Sequence, residues 1–203
     1  MKYPQARLLL LTKAPDPGRV KTRLGSQLGM SEAANIYEDL VHKCLATCRS
    51  AKLCPIDICC DPSPAHAFFQ HCSELYETGL QQQGSGNLGL RMSKAIQSAL
   101  QHTEHVVLIG ADCPFLTVED LDAAFRALQE GSDVVLGPAE DGGYYLIGMS
   151  RHHAALFVNI PWSTCRVLEV TENRLRELQL KWQCLAVRKD IDTAEDYAVY
   201  MKL

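Results

Sequence analysis

The chain has 203 residues, 47% hydrophobic content and a formal net charge of −4. That is the size and apolar content of a single domain, expected to span residues 1–203. Mild acidity argues against a nucleic-acid or membrane-surface binder, and no run reaches the ~18 apolar residues of a membrane span.

Taken in order, apolar runs and helical patterns alternate. Residues 7–12 form a short continuous apolar run, as expected of a strand covered on both faces. Proline and charge end it, and no small-residue cleavage site follows, so it reads as a buried first strand rather than a signal peptide. After a Pro/Gly loop, residues 31–48 carry apolar groups at helical spacing, with Ser31 as the expected cap. Residues 55–60 read as a second strand, and a short strand is expected near residues 75–77 beyond a poorly patterned stretch. Residues 90–100 read as a helix, 105–109 as a buried strand, and Thr117 caps a helix with Asp120 placed as in a capping box. Strands are expected at residues 133–137, 144–148 and 184–187, with a helix at 166–178 and a last helix capped by Thr193. Such alternation implies a mostly parallel sheet with helices on both faces. The connection between the 133–137 and 144–148 strands is too short for a parallel crossover, so the sheet should be mixed.

Nine cysteines, an odd number at irregular spacing and without a CxxC pair, fit neither a secreted disulfide framework nor a structural zinc site. They are expected to be reduced, mostly buried thiols of a cytoplasmic protein. His152 and His153 read as exposed loop residues, and the seven histidines show no ligand spacing.

Six segments carry candidate chemistry. The first is KAPDPGRVKTRL, residues 13–24, at the end of the first strand, where open α/β sheets bind ligands. Pro17 and Gly18 shape the turn, while Lys13, Arg19, Lys21 and Arg23 make a phosphate-sized electropositive site. The second is VVLIGADCP, where Asp112 ends a strand beside that site and offers a carboxylate to a hard divalent cation; a turn aspartate before Pro114 is the alternative. The third is KDIDT, where Asp190 and Asp192 share a face in extended chain and either could complete a metal site with Asp112. In the fourth, PAEDGG, Glu140 and Asp141 precede Gly142 and Gly143; the acids suit sugar hydroxyls, metal or base work, and a simple hairpin turn is the alternative. The fifth, GSGNLGLRM, brings Gly86, Gly89 and Arg91 to a helix start that favours anions. In the sixth, IPWST, burial of Trp162 is favoured over stacking on a ligand.

Together, KAPDPGRVKTRL, GNLGLRM, VVLIGADCP, DVVLGPAEDGGYYLIG, PWST and DIDTAEDY resemble the bacterial DUF2064 family. It is also called the radical-SAM/selenodomain-associated transferase 1 family, and its members are often labelled glycosyltransferases of arsenosugar biosynthesis. The likeness runs over nearly the whole chain, with a more distant one to phospholactate and molybdenum-cofactor guanylyltransferases. It implies the GT-A fold of nucleotide-diphospho-sugar transferases, a three-layer α/β/α sandwich. It implies nucleotide phosphates on residues 13–23, and magnesium or manganese on Asp112 with Asp190 or Asp192. One departure is Asn87, where the family pattern has Asp.

The expected activity is metal-dependent transfer from a nucleotide-diphospho-sugar to a small-molecule acceptor, with Asp112, Lys21, Arg23 and Asp141 as catalytic residues. Lys13, Pro17, Gly18, Lys21, Arg23, Gly86, Gly89 and Arg91 are expected on the nucleotide. Glu140, Asp141, Gly142 and Gly143 are expected on the acceptor or sugar. Nucleotidylyl transfer onto a phosphorylated acceptor, and nucleotide binding without turnover, are the alternatives.

Overall fold

The computed structural model describes residues 1–202. Seven strands form one sheet: β1 (Ala6–Lys13), β2 (Ile56–Asp61), β3 (Gly79–Gln82), β4 (His105–Gly110), β5 (Val134–Pro138), β6 (Tyr144–Met149) and β7 (Trp182–Cys184). Seven α-helices surround it: α1 (Thr22–Leu28), α2 (Met30–Ala51), α3 (Ala67–Tyr76), α4 (Leu88–Ala99), α5 (Val118–Gln129), α6 (Val167–Glu177) and α7 (Ala194–Tyr200). The strand order is β3-β2-β1-β4-β6-β5-β7. β3, β2, β1 and β4 run parallel, β6 runs antiparallel to both β4 and β5, and β7 is parallel to β5. The sheet is therefore mostly parallel and mixed.

The apolar runs of β1 and β4 are explained by cover on both faces. Leu8 and Leu10 of β1 point into a core with Val41, Leu45, Phe69, Leu121 and Phe125, from α2, α3 and α5. Leu9 points to the opposite face, among Met92, Ile96, Leu156 and Leu175. A third, smaller cluster joins Leu24, Ile36, Leu40 and Ile191, and Tyr197 of α7 packs against it. It ties α1 and the segment before α7 to α2.

Several local expectations need correction. α2 begins at Met30 after Gly29, so Ser31 lies inside the helix and does not cap it. The residue 75–77 region closes α3 rather than forming a strand, and β3 follows at Gly79. α3 buries only Phe68, Phe69 and Cys72, too narrow a face to mark the period in sequence. α1 was hidden for the same reason: it buries Leu24 and Gly25 alone. α4 starts at Leu88, and Asn87 caps it by accepting from Leu90 N at 2.9 Å. His152 and His153 are half-buried, and His152 Nε2 lies 2.8 Å from Ser93 Oγ. Thr117 and Thr193 both build full capping boxes, with Asp120 and Asp196 respectively. The nine cysteines are free thiols; Cys165 and Cys184 are exposed and the other seven are buried.

Candidate functional site

A cleft of about 770 Å³ opens along the carboxyl ends of β1 and β4 and the start of β6. Parallel α/β sheets create such a crevice because helices leave the strand ends in opposite directions. Here the reversal lies between β1, which pairs with β2 on one side, and β4 on the other.

Lys21 is part of its lining. It precedes α1 with φ 43° and ψ 45°, a left-handed conformation unusual for a side chain with a Cβ. Its own side chain makes no capping bond. Instead the ammonium, only 6% exposed, donates to Asp112 Oδ2 at 3.1 Å and to Asp192 Oδ1 at 2.8 Å. Burial would lower the Lys21 pKa, but the two carboxylates outweigh it and raise it. The Lys21 charge in turn lowers the Asp112 pKa against the cost of burial. Both carboxylates keep 41% exposure and face the cleft.

Asp190 lines the same cleft. Its Oδ1 is buried without a hydrogen-bond partner. Burial first, then the charges of Asp112, Asp141 and Asp192, push its pKa up to about 7, with Lys21 acting in the opposite direction. Two features hold the segment there. Ile191 N donates to Asp112 O at 3.2 Å, and Arg188 makes a two-pronged ion pair to Asp120 at 2.9 and 3.0 Å. The Arg188 anchor was invisible in sequence, because Asp120 already had an explanation as a capping residue.

The expected single-ion site thus has its carboxylates together, but among the described residues no three acids, histidines or cysteines form a ready ligand cage. An ammonium sits between two of them. The donor set suits magnesium or manganese, which take one or two carboxylates and complete the shell with phosphate oxygens and water. The unpartnered Asp190 Oδ1 is a further oxygen with no other role.

The remaining basic residues divide by position. Lys13, Arg19, Arg23 and Arg91 all line the cleft. Arg23 is 76% exposed, with Nη1 3.9 Å from Asp192. Arg91 Nη1 donates to Gln83 Oε1 at 2.8 Å and to Asp61 Oδ2 at 3.3 Å. Gln83 is buried, and its amide donates to Thr12 O and Cys59 O at 2.7 and 2.8 Å, so it fixes where Arg91 lies. Tyr37 Oη accepts from Lys13 N at 3.2 Å and pairs with Thr12 Oγ1, pinning the β1 end. Sequence reasoning missed Gln83, Asp61 and Tyr37; only a buried glutamine after a strand could have signalled the first.

Pro17, Gly18, Gly86, Gly89, Glu140 and Gly142 do not line the cleft. Pro17 and Gly18 form the exposed turn that returns the chain toward Lys21. A Cβ on Gly89 would come within 2.4 Å of Trp162 Nε1 and 2.7 Å of Phe157 O, so this glycine makes room for the indole. At Gly142, φ is +86° and a Cβ would fall 2.1 Å from Cys165 O, so the turn packs directly on the segment before α6. Asp141 and Gly143 do line the cleft, and Asp141 Oδ1 accepts from Gly143 N at 2.8 Å. Trp162 is half-buried on the same flank.

A family model described as an uncharacterized protein conserved in bacteria, DUF2064, matches residues 44–164. A crystal structure of a proposed nucleotide-diphospho-sugar transferase from Desulfovibrio desulfuricans G20 is 32% identical, with TM-score 0.88 over 97% of this chain and 86% of that one. The 4-diphosphocytidyl-2C-methyl-D-erythritol synthase of Anaerococcus prevotii DSM 20548 is 11% identical, with TM-score 0.67 over 98% of this chain and 99% of that one. Glucosyl-3-phosphoglycerate synthase of Mycobacterium tuberculosis, solved with Mn2+, uridine diphosphate and glucosyl-3-phosphoglycerate, is 11% identical, with TM-score 0.59 over 98% and 76%. The two more distant likenesses establish the shared GT-A-like fold. No curated protein matches the chain in sequence. No helix among the described residues is long and apolar enough to cross a membrane.

Proposed function

The chain belongs to the DUF2064 family, and on that premise we propose that it is a transferase that takes a sugar from a nucleotide-diphospho-sugar and passes it to a small acceptor. One observation carries the reading. Five cations and four carboxylates, among them Asp112, Asp190 and Asp192, line a single cleft at the ends of β1 and β4. Phosphates need the first set, and a phosphate-bound divalent cation needs the second.

Asp112, Asp190 and Asp192 would hold magnesium or manganese, which when bound supplies positive charge to the phosphates. The chain's own groups do the rest. Lys13, Lys21 and Arg23 bind the diphosphate and stabilise the charge that grows on it as it leaves. The acceptor oxygen bonds to the anomeric carbon. The bond from that carbon to the phosphate oxygen breaks, and the nucleoside diphosphate keeps the electron pair. Asp141 Oδ2 is free to take the acceptor proton, since Oδ1 is engaged by Gly143 N.

A second reading is nucleotidylyl transfer, favoured by the number of cations, which suits a triphosphate. A thermal-shift panel of nucleoside triphosphates and nucleotide sugars, each with magnesium or manganese, separates the two. Stabilisation by a nucleotide sugar, of ~2.7 kcal/mol at a hundred times its dissociation constant, supports sugar transfer. Stabilisation by triphosphates alone supports the second reading, and no stabilisation by either class overturns both.

A further inference from the structure

The cleft is electrically lopsided. Lys13, Arg19, Lys21 and Arg23 come from β1, the loop after it and α1. The fifth cation, Arg91, is turned toward the β2–β3 side by Gln83 and Asp61. The flank built on β6 and the chain before α6 has no lysine or arginine among its described lining residues; its one charged contributor is Asp141. Cations next to that flank in sequence are engaged elsewhere: Arg166 with Glu169 at 3.7 Å, Arg188 with Asp120, and Lys189 with Asp196 at 2.8 Å.

Tyr144 and Trp162, both half-buried, are the large side chains of this flank, beside the exposed Ser163, Thr164 and Cys165. Ile147 of β6, Leu108 of β4 and Met92 of α4 complete the apolar lining and are almost fully buried. Tyr144 and Trp162 meet edge to face, with ring centroids 6.2 Å apart. Their polar atoms do not reach the cleft: Tyr144 Oη and Trp162 Nε1 are both fully buried and without partners. Whatever the cleft sees of the two rings is carbon. Gly89 fixes Trp162 in that pose by leaving room for the indole edge.

We propose that this flank is the acceptor subsite and that it takes an uncharged alcohol with an apolar or aromatic body, and not a phosphate ester. The inference rests on the transferase reading for the word acceptor, and it sharpens that reading. Bringing a phosphate dianion against Asp141 with no cation to meet it costs electrostatic energy that ring carbon does not return. An alcohol body buries apolar surface there and keeps its hydroxyl at the rim with Asp141.

The probes are benzyl alcohol and benzyl phosphate, titrated into nucleotide-free protein while tryptophan fluorescence is read. Trp182→Phe leaves Trp162 as the sole reporter, since the chain has two tryptophans and Trp182 lies outside the cleft. The expected result is saturable quenching by benzyl alcohol at a concentration about tenfold below that for benzyl phosphate, a 1.4 kcal/mol preference. Should Trp182→Phe fail to fold, loss of the quench in Trp162→Phe reads the same contact. Equal or tighter binding of the phosphate overturns the proposal. So does quenching by neither probe, or quenching that survives removal of Trp162. Nucleotide binding is measured separately by calorimetry. Quenching without nucleotide binding fails the transferase reading alone, and nucleotide binding without quenching fails the subsite alone.

Discussion

Lys21 Nζ lies 3.1 Å from Asp112 Oδ2 across 91 positions of sequence, and the same nitrogen reaches Asp192 at 2.8 Å. One buried ammonium therefore holds together the end of β4, the loop after β1 and the segment before α7. On the proposed function it also stands where a divalent cation would contact both carboxylates, so lysine and metal would compete for the same two oxygens.

That competition makes Lys21→Met informative. The side chain is nearly buried, and methionine keeps most of its volume without charge. In nucleotide-free protein the variant should bind Mn2+ about tenfold more tightly, a gain of ~1.4 kcal/mol, because no ammonium has to be displaced. With nucleotide present the same variant should bind the nucleotide less well, having lost a phosphate contact. Paramagnetic titration of Mn2+ and calorimetry of the nucleotide read the two effects. Weaker Mn2+ binding in the variant would show that Lys21 supports the metal site rather than guarding it.

Arg23 is the opposite case. It is 76% exposed and its contact to Asp192, at 3.9 Å, is loose. Its removal should leave stability within about 0.5 kcal/mol, as for other surface positions. Nucleotide affinity should fall by ~1.5–3 kcal/mol, the usual worth of hydrogen bonds to charged groups. An Arg23→Ala variant with wild-type affinity in calorimetry removes this residue from the phosphate site.

The sheet was legible because buried strands advertise themselves. Residues 7–12 and 105–109 are continuous apolar runs between turn signals, and the short PAEDGG connection forced an antiparallel pair. Asp112 was legible as a carboxylate at a strand end, and Asp190 and Asp192 as a pair sharing one face of extended chain. Their relation to Lys21 was not, since a cation in a basic loop reads as a phosphate ligand whether or not it also pairs with acids. Glycines misled in the same way. Gly89 reads as part of a helix start that favours anions, yet its neighbour is Trp162. Sequence marks where a side chain is missing and not what fills the space.

Gly89→Ala sets two known effects against each other. Alanine is favoured over glycine in a helix by ~1 kcal/mol. The added Cβ, however, would lie 2.4 Å from Trp162 Nε1 and 2.7 Å from Phe157 O, and the second of these is backbone. Overpacking of this kind costs typically ~1–3 kcal/mol. The clash should win, lowering the melting temperature and shifting Trp162 fluorescence as the indole is pushed toward the cleft. A variant more stable than the parent would mean that the 154–162 segment yields freely.

Asp196 gives a pH test at a residue that does not itself line the cleft. Burial raises its pKa, but hydrogen bonds from Lys189, from Thr193 and from the backbone N–H groups of Thr193 and Asp192 outweigh it and lower the value to about 2. The ordinary value, 3.8, applies to the unfolded chain. A carboxylate depressed in the folded state stabilises it when ionised, so the contribution is complete above pH 3.8 and is lost as pH falls through about 2. The size is ~2 kcal/mol, from nearly two units at 1.36 kcal/mol each. Asp196→Asn should be less stable than the parent at pH 7 in urea unfolding by about that amount. The difference should persist at pH 5, shrink between pH 4 and pH 2, and approach zero at the acid end. A gap that stays constant down to pH 2 would assign the loss to altered capping geometry rather than to the charge of Asp196.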